Sequence, residues 1–217
     1  MPDDAPCTCG CPNIFSTQQA DDDLGRYRKD GPTPTTRALI AAIVAEGVES
    51  ATLLDIGAGI GAIQLELLAA GAASAESVDA SEPYVAVARE EAARRGFGDR
   101  TRGRVGDFVA LAPELDQADV VTLDKVVCCY SDMPALLGAA GAHARRMIGL
   151  VYPREAWWMR IAARAMNFGC RLTRNPLRFY LHGTGAVDGR LRAAGFERRD
   201  VSRSLIWQVV LYVRPAG

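Results

Sequence analysis

Apolar and polar positions alternate along this chain in two rhythms that keep replacing each other. Short apolar runs fit strands at Ala51–Ile56, up to Asp79, at Arg102–Val105, Asp119–Leu123 and Met147–Val151. Between them the apolar residues recur every three or four positions, as helices require. Ile63, Leu67 and Leu68 share one face in the stretch running to Ala70, and the segment SEPYVAVAREEAARRG repeats the pattern before Gly96. Further helices are expected over Met133–His143, Glu155–Asn167 and Ala186–Ala194. Two more strands follow, at Phe196–Val201 and Ile206–Val213. Ahead of the first strand, Thr33 to Thr36 can cap a helix through Leu39, Ile40, Ile43 and Val44 that ends at Gly47. Residues 1–23 read as irregular, followed by a short segment from Leu24 to Lys29.

Strands alternating with helices define an α/β architecture, and 217 residues suffice for one well-buried domain but not comfortably two. No internal repeat or linker argues for a second one.

The chemistry concentrates where the first strand ends. In LLDIGAGIG, Gly57, Gly59 and Gly61 let the backbone turn sharply and approach a ligand with no Cβ in the way. Strand, glycine turn and helix open a nucleotide-binding βαβ unit. Gly57, Gly59 and Ala62 also satisfy G-x-G-x-x-G/A, so a nicotinamide-dependent oxidoreductase stays open at this point. Three acids refine the choice. Asp55 precedes the first glycine, where a carboxylate can meet an ammonium group. Asp79 ends the second strand, placed to accept from ribose hydroxyls. Asp107, after the third strand, can accept from an adenine amine. Taken singly, Asp79 and Asp107 also suit a turn and a helix cap.

These residues, in this order between Thr52 and Lys125, resemble the class I S-adenosylmethionine-dependent methyltransferases. The resemblance implies a single Rossmann-like domain over residues 33–217, with a seven-stranded, mostly parallel sheet closed by an antiparallel last strand pair. It implies S-adenosyl-L-methionine as cofactor, held by Asp55, Gly57, Ala58, Gly59, Gly61, Asp79, Ala80, Ser81, Gly106, Asp107, Phe108, Asp124 and Lys125. Residues 1–32 would form a cysteine-containing lid, with Tyr27 facing the site.

In open α/β sheets the substrate sits beyond the carboxyl ends of the strands. That directs attention to LDKVVCCYSD, residues 123–132, where Cys129 and Tyr130 follow the fourth strand. Tyr130, Cys129, His182 and Tyr27 are the candidates for positioning an acceptor or removing its proton; a loop histidine bonding the backbone is the plainer role for His182. Trp157, Trp158, Arg178 and Tyr180 would suit a flat or anionic acceptor, and the two Trp equally suit a core. The layout here is similar to that of magnesium-protoporphyrin O-methyltransferases, in which a His stands where this chain has Cys129. An alternative is a thiol or soft metalloid acceptor, with Cys7, Cys9 and Cys11 folding toward Cys128 and Cys129. A non-catalytic protein retaining the fold is the remaining class.

Composition adds limits. Nearly half the residues are apolar and the net charge is −1, an ordinary globular balance. No run is long enough to span a membrane and no signal-peptide pattern opens the chain, so a cytoplasmic location is expected, with neither membrane nor nucleic acid as partner. The balance is uneven, however: residues 152–217 carry twelve Arg against two Asp and two Glu, a local +8. A solvated arginine-rich surface is the ordinary reading, and an anionic partner the other. C-x-C-x-C is not a zinc knuckle, and no metal site is expected.

Overall fold

The structure, a computed structural model, describes residues 16–173, 175 and 177–215; Cys7, Cys9 and Cys11 fall outside the described residues. Seven strands form one sheet: β1 Thr52–Ile56, β2 Ser74–Asp79, β3 Thr101–Val105, β4 Ala118–Asp124, β5 Ala144–Pro153, β6 Glu197–Arg203 and β7 Trp207–Val213. Their order is β3-β2-β1-β4-β5-β7-β6. β1 to β5 run parallel, while β7 pairs antiparallel with both β5 and β6. This inserted antiparallel strand departs from the 3-2-1-4-5-6 order of dinucleotide-binding sheets. It gives the Rossmann-like methyltransferase architecture that the resemblance implied.

The helices are α1 Thr17–Asp30, α2 Pro34–Ala45, α3 Ala62–Ala69, α4 Glu82–Arg94, α5 Phe108–Leu111, α6 Met133–His143, α7 Trp157–Leu172 and α8 Thr184–Ala193. The central strands are apolar on both faces because helices cover both, as parallel sheets demand. One core joins Leu54, Ile56, Val121, Leu123 and Ile148 to α6 and α8 through Leu136, Leu137, Val187 and Leu191. The other joins Leu53, Val120, Met147 and Val151 to α2 and α3 through Leu39, Ile43, Ile63 and Leu67. Gly149 permits this second packing, since a Cβ there would stand 2.7 Å from Leu39 Cδ1.

Two expectations change. Residues 17–23 are helical rather than irregular: Ser16 accepts from Gln19 N as N-cap, and Ala20, Leu24 and Tyr27 form a buried stripe at helical spacing. They pack against Leu65, Tyr84, Val87 and Ala92, so α1 lies across α3 and α4. Arg28 fastens it there, its Nη2 2.6 Å from the buried carboxylate of Glu91. Trp157, expected in a core or pocket, is 75% exposed instead. The reason is that α7 buries only Met159 and Ala163 and turns its other side outward.

Candidate active site

A cavity of about 590 Å³ opens at the carboxyl ends of β1, β2, β3 and β4, under α1. The glycine turn forms its floor. Gly57 has φ +65°, and a Cβ at this position would collide with Val126 Cγ2. Asp79 holds the turn in shape: Oδ2 accepts from Gly59 N and Oδ1 from Ser81 N, both at 2.9 Å. Burial raises the Asp79 pKa, and these two amides oppose the rise.

Asp55 is the most constrained acid here, at 1% exposure. Parallel pairing of β1 with β4 sets it directly beside Thr122. Thr122 Oγ1 donates to Asp55 Oδ1 at 2.6 Å, while Oδ2 is buried with no hydrogen-bond partner among the described residues. Burial pushes its pKa up to about 7, with the Thr122 hydroxyl opposing and Asp124 and Asp79 adding repulsion. Asp55 lines the cavity, and a buried carboxylate short of a partner is stabilised by a cationic group brought near it.

Asp107 has two jobs. Its Oδ1 caps α5 by accepting from Val109 N at 2.8 Å, and the carboxylate also takes the Tyr130 hydroxyl at 2.8 and 3.0 Å. Burial first, then the Asp107 carboxylate, raise the Tyr130 pKa well above its ordinary value, so this hydroxyl stays protonated. Asp124 accepts from Thr36 Oγ1 at 2.5 Å and stands 3.6 Å from Lys125 Nζ. Lys125 itself has φ +64°, its Nζ 3.3 Å from Thr33 Oγ1 and 5.8 Å from the centre of the Trp207 ring.

Fourteen of the named candidates line this one cavity: Asp55, Gly57, Ala58, Gly59, Asp79, Ala80, Gly106, Asp107, Phe108, Asp124, Lys125, Cys129, Tyr130 and Tyr27. Gly61, Ser81 and His182 are not among its lining residues. Gly61 sits behind the turn as the N-cap of α3, and Ser81 has no capping bond from its side chain. His182 Nε2 bonds the Tyr130 carbonyl at 2.8 Å and its ring stacks on Tyr180. Tyr180 N in turn donates to Cys128 O at 2.7 Å, so the 180–182 segment braces the cysteine loop from outside. Trp157, Trp158, Arg178 and Tyr180 also stand off the cavity.

Tyr27 lines the cavity with its ring. Its hydroxyl faces away, donating to Glu66 Oε1 and accepting from Arg95 Nη1, both at 2.5 Å. Cys129 also lines the cavity. Its Sγ lies 3.9 Å from Cys128 Sγ, and that neighbouring thiol draws the Cys129 pKa below the usual value against the effect of burial. Among the described residues no group of three or more His, Cys, Asp and Glu is arranged to hold a metal ion.

Several lining residues went unnoticed in the sequence. Asp23 and Arg26 come from α1, Thr33 and Thr36 from the turn and helix after it, and Tyr84 from α4. Tyr84 donates its hydroxyl to Asp23, which closes α1 over the mouth. Thr122, which does not line the cavity but bonds Asp55, was the most findable, being the polar exception in the run DVVTL.

Residues 53–146 match the methyltransferase-domain family. That stretch holds the glycine turn together with Asp55, Asp79 and Asp107. Over 106 residues the chain is 38% identical to release factor glutamine methyltransferase of Cereibacter sphaeroides. That alignment covers 48% of this chain and 37% of the relative, so the chain spans little more than a third of the curated protein's length. In structure it is similar to magnesium protoporphyrin IX methyltransferase from Synechocystis PCC 6803 with bound SAH. The TM-score is 0.68 at 20% identity, over 95% of this chain and 91% of that one. An O-methyltransferase family protein from Burkholderia thailandensis gives 0.67 at 19%, over 96% and 65%. At these identities the likeness is one of fold.

Proposed function

We propose that this protein is an S-adenosylmethionine-dependent methyltransferase acting on a small-molecule acceptor. The observation that carries the reading is a cavity whose floor is the glycine turn and whose lining includes Asp55, a buried acid with one carboxylate oxygen unpartnered among the described residues. A ligand bearing an ammonium group and a ribose answers both features: Asp55 receives the ammonium, and Asp79 offers its remaining lone pairs to the hydroxyls while its amide bonds keep the turn rigid. Asp107 and Phe108 lie where the adenine would sit.

S-adenosylmethionine, when bound, supplies an electrophilic methyl group on a sulfonium. The chain's own task is then alignment and exclusion of water. α1 covers the cavity as a lid, through Tyr27, Arg26 and Asp23. Tyr130, held by Asp107, is a donor and not a base, so it orients the acceptor side of the cavity. Cys129 is a lining thiol whose pKa the neighbouring Cys128 draws below the usual value, which makes it the candidate to take a proton from the acceptor. His182 acts one step back, by fixing the Tyr130 carbonyl. Lys125 and Arg26 are the cations at the mouth, each beside an acid, Asp124 and Asp23.

Calorimetric titration with S-adenosylhomocysteine, and separately with NADH, tests the assignment. Saturable heat with S-adenosylhomocysteine alone is expected. Heat with NADH alone would transfer the cavity to a nicotinamide enzyme, and no heat with either would end the assignment.

A further inference from the structure

Of the nine large apolar side chains exposed among the described residues, seven lie on α7 or at the tip joining β6 to β7. On α7 four of the five gather on one side, and Met166, the least exposed at 39%, stands apart. Trp157, Ile161, Phe168 and Leu172 fall within an arc of about 60° at 100° per residue, running the whole length of the helix. Trp157 is 75% exposed, Phe168 64% and Leu172 71%. The neighbouring arc holds Arg160, Arg164 and Arg171, and α7 contains no acid. The opposite side is the anchored one, through Met159, Ala163 and the Asn167 side chain, which bonds Phe179 N and O at 2.8 Å each.

The hairpin tip extends the same face. Arg154, just ahead of α7, donates its backbone N–H to Ile206 O at 2.8 Å and its guanidinium to Ser204 O at 3.1 Å. That sets the exposed Leu205 and Ile206 beside the start of the helix. The acids nearby are already engaged: Glu155 with Arg160, and Asp200 with Arg198 and Arg203.

We propose that this face binds an anionic lipid bilayer surface, with α7 lying in the interfacial plane. An apolar stripe beside a row of Arg is the arrangement by which a helix sinks its apolar side chains among acyl chains while its cations meet acidic headgroups. A second copy of the chain fits less well. A two-fold contact through α7 would set each Arg row against its twin, in the third of the chain that already carries a local +8. The helix is also not a span: no helix among the described residues is long and apolar enough to cross a membrane. The sequence-level expectation of no membrane partner is thereby narrowed to no membrane crossing.

Flotation of the full chain with vesicles tests this directly, comparing phosphatidylcholine alone with phosphatidylcholine containing phosphatidylglycerol. The protein should float with the anionic vesicles and stay below with the neutral ones, and added salt should weaken the association. Arg164→Glu should lower the partition coefficient by at least about fivefold, the effect of one cation near such a surface. Trp157→Ser with Phe168→Ser should lower it further. Binding of S-adenosylhomocysteine should be unchanged in all of these variants, which also reports that they are folded. Equal flotation with both vesicle types, or with neither, would overturn the proposal. So would a dimer in light scattering that the Trp157→Ser, Phe168→Ser variant converts to monomer, since the stripe would then belong to a second copy.

Discussion

The two ends of the sheet put their polar residues to opposite uses. At the carboxyl ends of β1 to β4 the acids converge: Asp55, Asp79, Asp107 and Asp124 all line one cavity. Around β6 and β7 the charges are mostly Arg and point outward, while apolar side chains stay uncovered on α7 and the hairpin tip. The first arrangement costs stability, since buried carboxylates repel one another and lose water. Retaining it makes sense where a cationic ligand completes the set. The second leaves apolar surface in water, which makes sense where a larger surface covers it. The two proposals thus rest on different surfaces, an acid-lined cavity and an uncovered apolar stripe.

The contrast can be broken most severely at Asp79. Asp79→Ala removes the acceptor for Gly59 N and Ser81 N and, in the proposed function, the acceptor for the ribose, so affinity for S-adenosylhomocysteine should fall about 100-fold, as loss of two charge-assisted bonds implies. Calorimetry reads this; an unchanged affinity would separate the acid from the ligand altogether. Next comes the seam between the two regions. Gly149→Ala pushes a Cβ against Leu39, and should lower stability to urea by about 1–3 kcal/mol while leaving the ligand contacts alone.

Asp55 sharpens the comparison through pH. Its folded pKa is raised to about 7, so in the free protein this group favours folding at low pH, and that contribution is lost as pH rises through about 7. A cationic ligand needs the carboxylate. Affinity should therefore strengthen from pH 5.5 to about 7, by at most about tenfold per unit, and then level off. Asp55→Asn should bind more weakly at pH 8 and show no such slope from this group; a slope retained in the variant would assign the proton elsewhere. The smallest effect is expected at Trp157. Trp157→Ser should change urea stability by no more than about 0.5 kcal/mol, because its side chain packs on nothing that folding requires. A larger loss would mean that the α7 stripe supports the fold.

What the sequence disclosed and what it hid follow from the range of the interactions. The glycine turn and the three acids sit within a few residues of strand ends, so spacing alone located them. The Asp55–Thr122 pair depends on β1–β4 register across 67 positions, which no local pattern records. Residues 17–23 looked irregular because three successive Asp and a Gly dominate TQQADDDLG, yet Ala20, Leu24 and Tyr27 already carried the spacing of a helix face. His182 drew attention as an imidazole in a chain with two His, and its partner is a backbone carbonyl 52 positions away. Trp157 misled for a related reason: periodicity shows that one face of α7 is apolar without showing that this face lies outward.

The fastening of α1 has a consequence in time. The Tyr27 hydroxyl and Arg28 tie this helix to Glu66 and Glu91 outside the cavity, the Tyr84–Asp23 bond ties it at the cavity itself, and Asp23, Arg26 and the Tyr27 ring cover the opening. For the proposed methyltransferase, release of a ligand beneath would need those ties to break and residues 17–30 to swing about Gly31 and Pro32, so weakening the Arg28–Glu91 pair would shorten its residence time.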